Sequence, residues 1–268
     1  MQDVLKYLTW EITERGARII GCDEEFEGAM EIPSRLDGAA VVEIGKDAFL
    51  ERRSLRSVAI PDSVEVVGKY AFAFCHWLEE LHLGAGIKKI GKGAFWGCRL
   101  LKRVAVPDSV ENVGVLAFFA CYELEELHLG AGIKKIEEYA FGECRSLKSV
   151  AIPDSVEVVG EDAFAWCKRL NELRLGRGIK KIEKSAFRKC RSLKTVAIPD
   201  SVEVVGRWAF QKCSGLEELR LGKGIKTIEE DAFADCSSLR RVILPSTLEA
   251  LARDAFNKNV DLVFDDER

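Results

Sequence analysis

The sequence predicts an α/β solenoid: a right-handed stack of short parallel strands and short helical turns, in about ten copies of 23 residues. Three observations predict it. An Ala-Phe pair recurs ten times at a spacing of 23, at Phe49, Phe72, Phe95, Phe118, Phe141, Phe164, Phe187, Phe210, Phe233 and Phe256. Three residues after eight of these stands a cysteine, from Cys75 to Cys236, while the first and last copies carry Arg52 and Asn259. Terminal copies of a stack face a cap or solvent, so that departure is expected. Finally, one copy buries too few side chains to offset the entropy of ordering its own backbone, so the copies must lean on one another.

Each element follows from the repeat L-x-x-V-x-I-P-x-S-V-x-x-V-G-x-x-A-F-x-x-C. Leu55, Val58 and Ile60 have the spacing of a short strand that turns one set of side chains inward. Pro61 and Asp62 make a turn, and Val64 and Val67 give a second short extended segment. Gly68 then releases the chain into a brief helical turn holding Ala71, Phe72 and Cys75.

A longer beat lies over this one. Pro61, Pro107, Pro153, Pro199 and Pro245 are 46 apart, and Gly84, Gly130, Gly176 and Gly222 mark the copies between. Charges alternate with it: Glu65, Lys88, Glu111, Lys134 in one column, and Arg56, Glu79, Lys102, Glu125, Lys148 in another. Neighbours in stacked strands lie about 4.8 Å apart, where opposite charges attract by a few tenths to about 1 kcal/mol. Both columns read as ion-pair ladders rather than ligand sites.

The expected organisation is an N-terminal cap over 1–45 with a hairpin at Thr9–Gly21, a solenoid over 46–259, and a closing strand (Val260–Phe264) with an acidic tail over 260–268. No run approaches the roughly 18 apolar residues of a membrane span. Met1–Ile12 carries acids and lacks an apolar stretch, so a secretion leader is not expected there; the chain either stays inside the cell or has lost one. The net charge of −4, from 40 basic and 44 acidic side chains, argues against a dedicated nucleic-acid binder.

Candidate chemistry dissolves into the repeat. Eight cysteines share one inward column, and a catalytic thiol needs a single activated thiolate beside a base. Cys22 stands apart in the cap. His82 and His128 share a column but lie two copies apart, too far to hold one metal ion. No phosphate-binding loop, nucleophile elbow or zinc-protease motif occurs. No enzymatic activity, small-molecule substrate, metal or cofactor is expected.

What varies is the segment around Ala-Phe. Copies two to four carry Tyr70, Phe74, Trp77, Trp96, Phe119 and Tyr122, with Leu116 among them. Copies six to eight are rich in cations, among them Lys168, Arg188, Lys189, Arg191 and Lys212, with Trp166 and Trp208 interspersed. Aromatics and arginine are enriched where proteins meet proteins. Tyr70, Phe74, Trp77, Trp96, Phe119, Tyr122, Trp166, Arg188, Lys189 and Arg191 are therefore the candidate partner-binding residues. The plainer reading is that the aromatics cover the ends of the core and the cations are solvated.

The ten in-phase copies closely resemble the BspA-like leucine-rich repeats of the short AF-x-x-C type, and residues 1–45 resemble that family's cap. The resemblance implies a curved parallel-strand stack, a role in protein recognition, and no catalytic residues; members are often secreted or cell-surface adhesion proteins. A monomeric, non-enzymatic recognition module for a protein partner is the expectation. The alternatives are a self-assembling or engineered repeat scaffold, and a binder of acidic polymers through the basic half.

Overall fold

The computed structural model describes residues 4–264. A 3-10 turn at Val4–Tyr7 leads into β1 (Leu8–Thr13), which pairs antiparallel with β2 (Gly16–Cys22). β3 (Gly28–Glu31) opens a second face, and β4 (Arg35–Leu36) pairs antiparallel with β5 (Ala39–Ile44). From β2 and β5 onward one parallel sheet takes a two-residue strand from every copy, from Val66–Val67 to Ala250–Leu251. The second face is made of three successive parallel sheets, from β3 to Glu80–His82, from Arg103–Ala105 to Glu172–Arg174, and from Thr195–Ala197 to Asp261–Phe264. Asp265–Arg268, where the acidic tail was expected, lie outside the described residues.

The core positions of the repeat are buried as their spacing requires. Leu55, Val58, Val64, Val67, Ala71, Phe72 and Cys75 are fully enclosed, and so are their counterparts in most later copies. The ten repeat phenylalanines form one column with ring centroids 4.6–5.4 Å apart and planes within 15° of parallel. Each column thiol donates to the carbonyl of the preceding copy's phenylalanine: Cys75 to Phe49 at 3.0 Å, Cys98 to Phe72 at 3.3 Å, and so on to Cys236 and Phe210. A buried carbonyl's second lone pair is thereby satisfied, and this explains why a small hydrophobe with a weak donor recurs there.

The Ala-Phe segment corrects the expectation of helical turns. Among the described residues there is no α-helix, so the fold is a β-solenoid of about eleven turns rather than α/β. The backbone explains why. The residues two before and two after the repeat phenylalanine have positive φ in nine successive copies, as at Tyr70 (57°) and Phe74 (59°). Every second amide then leaves the segment: Tyr70 N donates to Lys92 O at 2.9 Å, Phe72 N to Ala94 O at 2.7 Å, and Phe74 N to Trp96 O at 2.7 Å. The amides between them close short turns, Ala73 N to Tyr70 O at 3.1 Å among them. A segment whose alternate amides bond to the next copy cannot also run a helical ladder.

The 46-residue beat has its cause at the opposite corner. Asp62 Oδ1 accepts the amide of Ala85 at 2.7 Å, and Asp108, Asp154 and Asp200 accept those of Ala131, Arg177 and Lys223 at 2.7–2.8 Å. Reaching back, Ser109 and Ser155 donate to the carbonyls of Ile87 and Ile133 at 2.7 and 2.8 Å. A Pro-Asp-Ser turn thus holds the glycine-bearing turns on either side. The glycine is required: a Cβ on Gly84 would stand 2.4 Å from the carbonyl oxygen of Pro61.

The two charge columns form ion pairs between some rungs, while Glu111, Lys134, Glu157 and Lys180 in the first column make none among the described residues. Lys88 meets Glu65 at 3.1 Å and Lys226 meets Glu203 at 3.1 Å; Glu79 lies 3.5 Å from Arg56 and 3.6 Å from Lys102. Lys148 reaches Glu125 at 2.6 Å and holds its carboxyl below the usual range.

Candidate recognition surface

The turn edge that carries Ala-Phe projects side chains at the positions flanking the core. Because consecutive copies are joined there by backbone hydrogen bonds, residues in one column lie one rung apart. Four of the predicted residues come together. Phe74 lies 4.9 Å from Trp96, Tyr70 6.1 Å from Trp96, and Trp96 6.4 Å from Phe119, ring centre to ring centre. Tyr139, which the sequence reading passed over, extends the row at 5.9 Å from Phe119. It shares a column with Tyr70, and that was the signal available. Its hydroxyl is pushed up to about 12, by burial first and then by Asp162.

All five rings are half-buried, and three pack against a glycine of the next copy. A Cβ on Gly93 would stand 2.4 Å from the Tyr70 ring, one on Gly97 2.9 Å from Phe74, and one on Gly142 2.9 Å from Phe119. Tyr70, Phe74 and Phe119 therefore pack in part on the next copy and stay partly exposed.

Trp77 and Tyr122 do not join the row. Trp77, 48% exposed, leans on Arg56 of the strand one rung earlier, at 4.6 Å. Tyr122 sits between Arg145 at 4.3 Å and Arg99 at 5.9 Å. Farther along, Lys189 Nζ stands 3.3 Å above the centre of the Trp166 ring, with Lys168 at 5.5 Å. Arg188 is 6.0 Å from Trp208, whose indole donates to Asp231 at 3.1 Å. Arg191 is exposed beside them.

The strand face offers a different surface. A shallow hollow there is lined by Glu79, Leu81, His82, Lys102, Arg103 and Glu126. Two ion pairs cross it, Arg103 with Glu126 at 3.1 Å and Lys102 with Glu79 at 3.6 Å, while Glu80, which also lines it, makes none among the described residues. His82 and His128 lie on it with the Ala105 rung between them. The column thiols are enclosed, and burial pushes Cys75 and Cys236 up to about 12, far from the range of a reactive thiolate.

A family profile for the BspA type leucine rich repeat region matches residues 42–171 and 134–263. No match is found among curated proteins. Solved structures that share the fold include three bacterial proteins. A leucine-rich repeat protein of Bacteroides ovatus is 23% identical with a TM-score of 0.63, over 100% of this chain and 79% of that one. A leucine rich cell surface protein of Faecalibacterium prausnitzii is 23% identical with a TM-score of 0.53, over 98% and 94%. The pneumococcal vaccine antigen PcpA is 17% identical with a TM-score of 0.58, over 96% and 81%.

Proposed function

The chain belongs to the BspA-type leucine-rich repeat family, and from that premise we propose that it is a non-enzymatic protein-recognition module that engages its partner along the turn edge. One observation carries this reading. Tyr70, Phe74, Trp96, Phe119 and Tyr139 form a continuous half-buried row at positions where most other copies hold non-aromatic residues, Trp166 and Trp208 excepted. The repeat does not need aromatics there, and aromatic clusters with one face anchored and one outward make strong contact points. The non-enzymatic part rests on the column thiols being equivalent and enclosed.

Capture of a partner by the wild-type chain, compared with Trp96→Ala/Phe119→Ala, tests the reading. A partner held by the first should be lost by the second while thermal unfolding stays cooperative. Capture that survives the double substitution removes the turn edge as the site. The packing of three rings against glycine favours a purely structural role for this row; in that case the double variant loses stability and keeps its partner.

A further inference from the structure

We propose that the turn edge of copies six to eight is a compact receptor for an acidic segment of a partner protein, formed by Trp166, Lys168, Arg188, Lys189, Arg191 and Lys212. It rests on the recognition reading above and names what one stretch of that edge holds.

The backbone gathers these side chains. Trp166 N donates to Arg188 O at 2.8 Å, Lys189 N to Gln211 O at 2.8 Å, and Lys212 N to Ala234 O at 2.9 Å. Trp166, Lys189 and Lys212 thus occupy one column on three consecutive rungs, flanked by Arg188 on one side and by Lys168 and Arg191 on the other. Elsewhere many of this protein's cations meet a carboxylate, and neighbours here do too: Lys184 pairs with Glu161 and Arg207 with Glu230. Among the described residues none of the five cations of the cluster has an ion pair, and Arg188 Nε is buried without a hydrogen-bond partner. Burial, with the charges of Arg188, Lys212, Arg191 and Lys168, holds Lys189 below the ordinary lysine value. The fold does not demand this crowding, because the same column holds Phe74, Gly97 and Ala120 in other copies. Gathered like charges raise the free energy of the unbound chain, and an anion relieves it.

The ends of the cluster set the size of the ligand. The column reads Glu143, Trp166, Lys189, Lys212, Asp235, so an acid closes it on either side. Asp162 stands near Arg188 as well. Three rungs span about 10 Å. An extended peptide at about 3.3 Å per residue places two or three carboxylates within that length. A long polyanion laid along the stack would run onto Glu143 and Asp235. Trp166 already carries ammonium groups over its ring, so it positions cations rather than stacking on a sugar.

The test is a titration of the full chain into a fluorescein-labelled hexapeptide of four acidic residues and two glycines, read by anisotropy at low ionic strength. Saturable binding is expected, weakening as salt is added and at least tenfold weaker in Lys168→Gln/Lys189→Gln/Lys212→Gln. Lys88→Gln, in the ion-pair ladder, should bind as wild type, and so should Trp96→Ala/Phe119→Ala. That last arm separates this site from the aromatic row, whose failure would leave peptide binding intact. Should the triple variant lose its cooperative melt, Lys189→Glu alone is expected to give the same loss. No saturable binding, binding indifferent to both sets of lysine substitutions, or tighter capture of a sulfated oligosaccharide than of the peptide would overturn the proposal.

Discussion

The carboxylate of Asp108 accepts the amide of Ala131, 23 residues on, at 2.7 Å. The same bond recurs at Asp62, Asp154 and Asp200, so one side chain in every second copy fixes where the next turn begins. Asp108→Ala is expected to lower stability by about 1 kcal/mol, the usual worth of a turn-capping carboxylate. Asp108→Asn, which keeps the acceptor oxygen, should recover at least half. Urea midpoints at unchanged slope are the measurement, and an Ala variant as stable as wild type would show the bond to be idle.

The left-handed residues beside each repeat phenylalanine are strained wherever they carry a Cβ. Glu51, at φ 58° on the exposed first copy, is the cleanest place to measure it. Glu51→Gly should raise stability by about 0.5 kcal/mol, after the entropic cost of glycine is subtracted. Glu51→Val should lower it by 1–2 kcal/mol or so, because β-branched residues tolerate that region worst. Equal stability for both would mean that the segment relaxes out of this conformation in solution.

Gly142 lies under the ring of Phe119, where an added Cβ would come within 2.9 Å of Cδ2 and 3.3 Å of the Asp162 carbonyl oxygen. Gly142→Ala should cost about 1 kcal/mol through overpacking. In a Phe119→Ala background the same change should cost less by about 0.5 kcal/mol or more. Additive losses would place the ring elsewhere.

The eight column thiols are enclosed and donate to carbonyls, and their thiolates are disfavoured by burial. Ellman's reagent at pH 8 should leave them unreacted over minutes in the native chain and titrate them all in guanidinium. A rapid native burst of several thiols would contradict the enclosed column.

His76 is held below the ordinary histidine value, by burial first and then by Arg99 and Arg53, and its Nε2 is buried without a partner. Folding therefore favours the neutral ring. Its contribution is complete above the unfolded value of about 6.5 and is lost as pH falls through the lower folded value, since the unfolded chain then binds the extra proton. His76→Gln should flatten the loss of stability between pH 7 and pH 5, as read from urea midpoints; an identical pH slope in both chains would exclude the effect.

The columns of leucine, valine, phenylalanine and cysteine were legible because a strict 23-residue period leaves one inward face. The geometry of the Ala-Phe segment was not. Left-handed backbone is usually announced by glycine, asparagine or aspartate, and here Tyr70, Phe74, Trp166, Trp208 and Ser185 adopt it. Gly93 and Gly97, with Asp47, Asp231 and Asp235, were the clues in those two columns. The aromatic row was half legible. Its members stood out as departures from the repeat, but which of them touch depends on ring orientation, and so Tyr139 belongs to it while Trp77 and Tyr122 do not.

The proline turn of one copy needs a residue without a Cβ at the matching place in the next, and that couples length to parity. Excising a single 23-residue stretch such as 123–145 would bring Pro107 and Pro153 into adjacent turns, driving the second proline ring against a carbonyl that tolerates only hydrogen in that place. Removing 46 residues would restore the match at the scar. This molecule can be shortened or lengthened only by twos, like a chain whose links come in male and female.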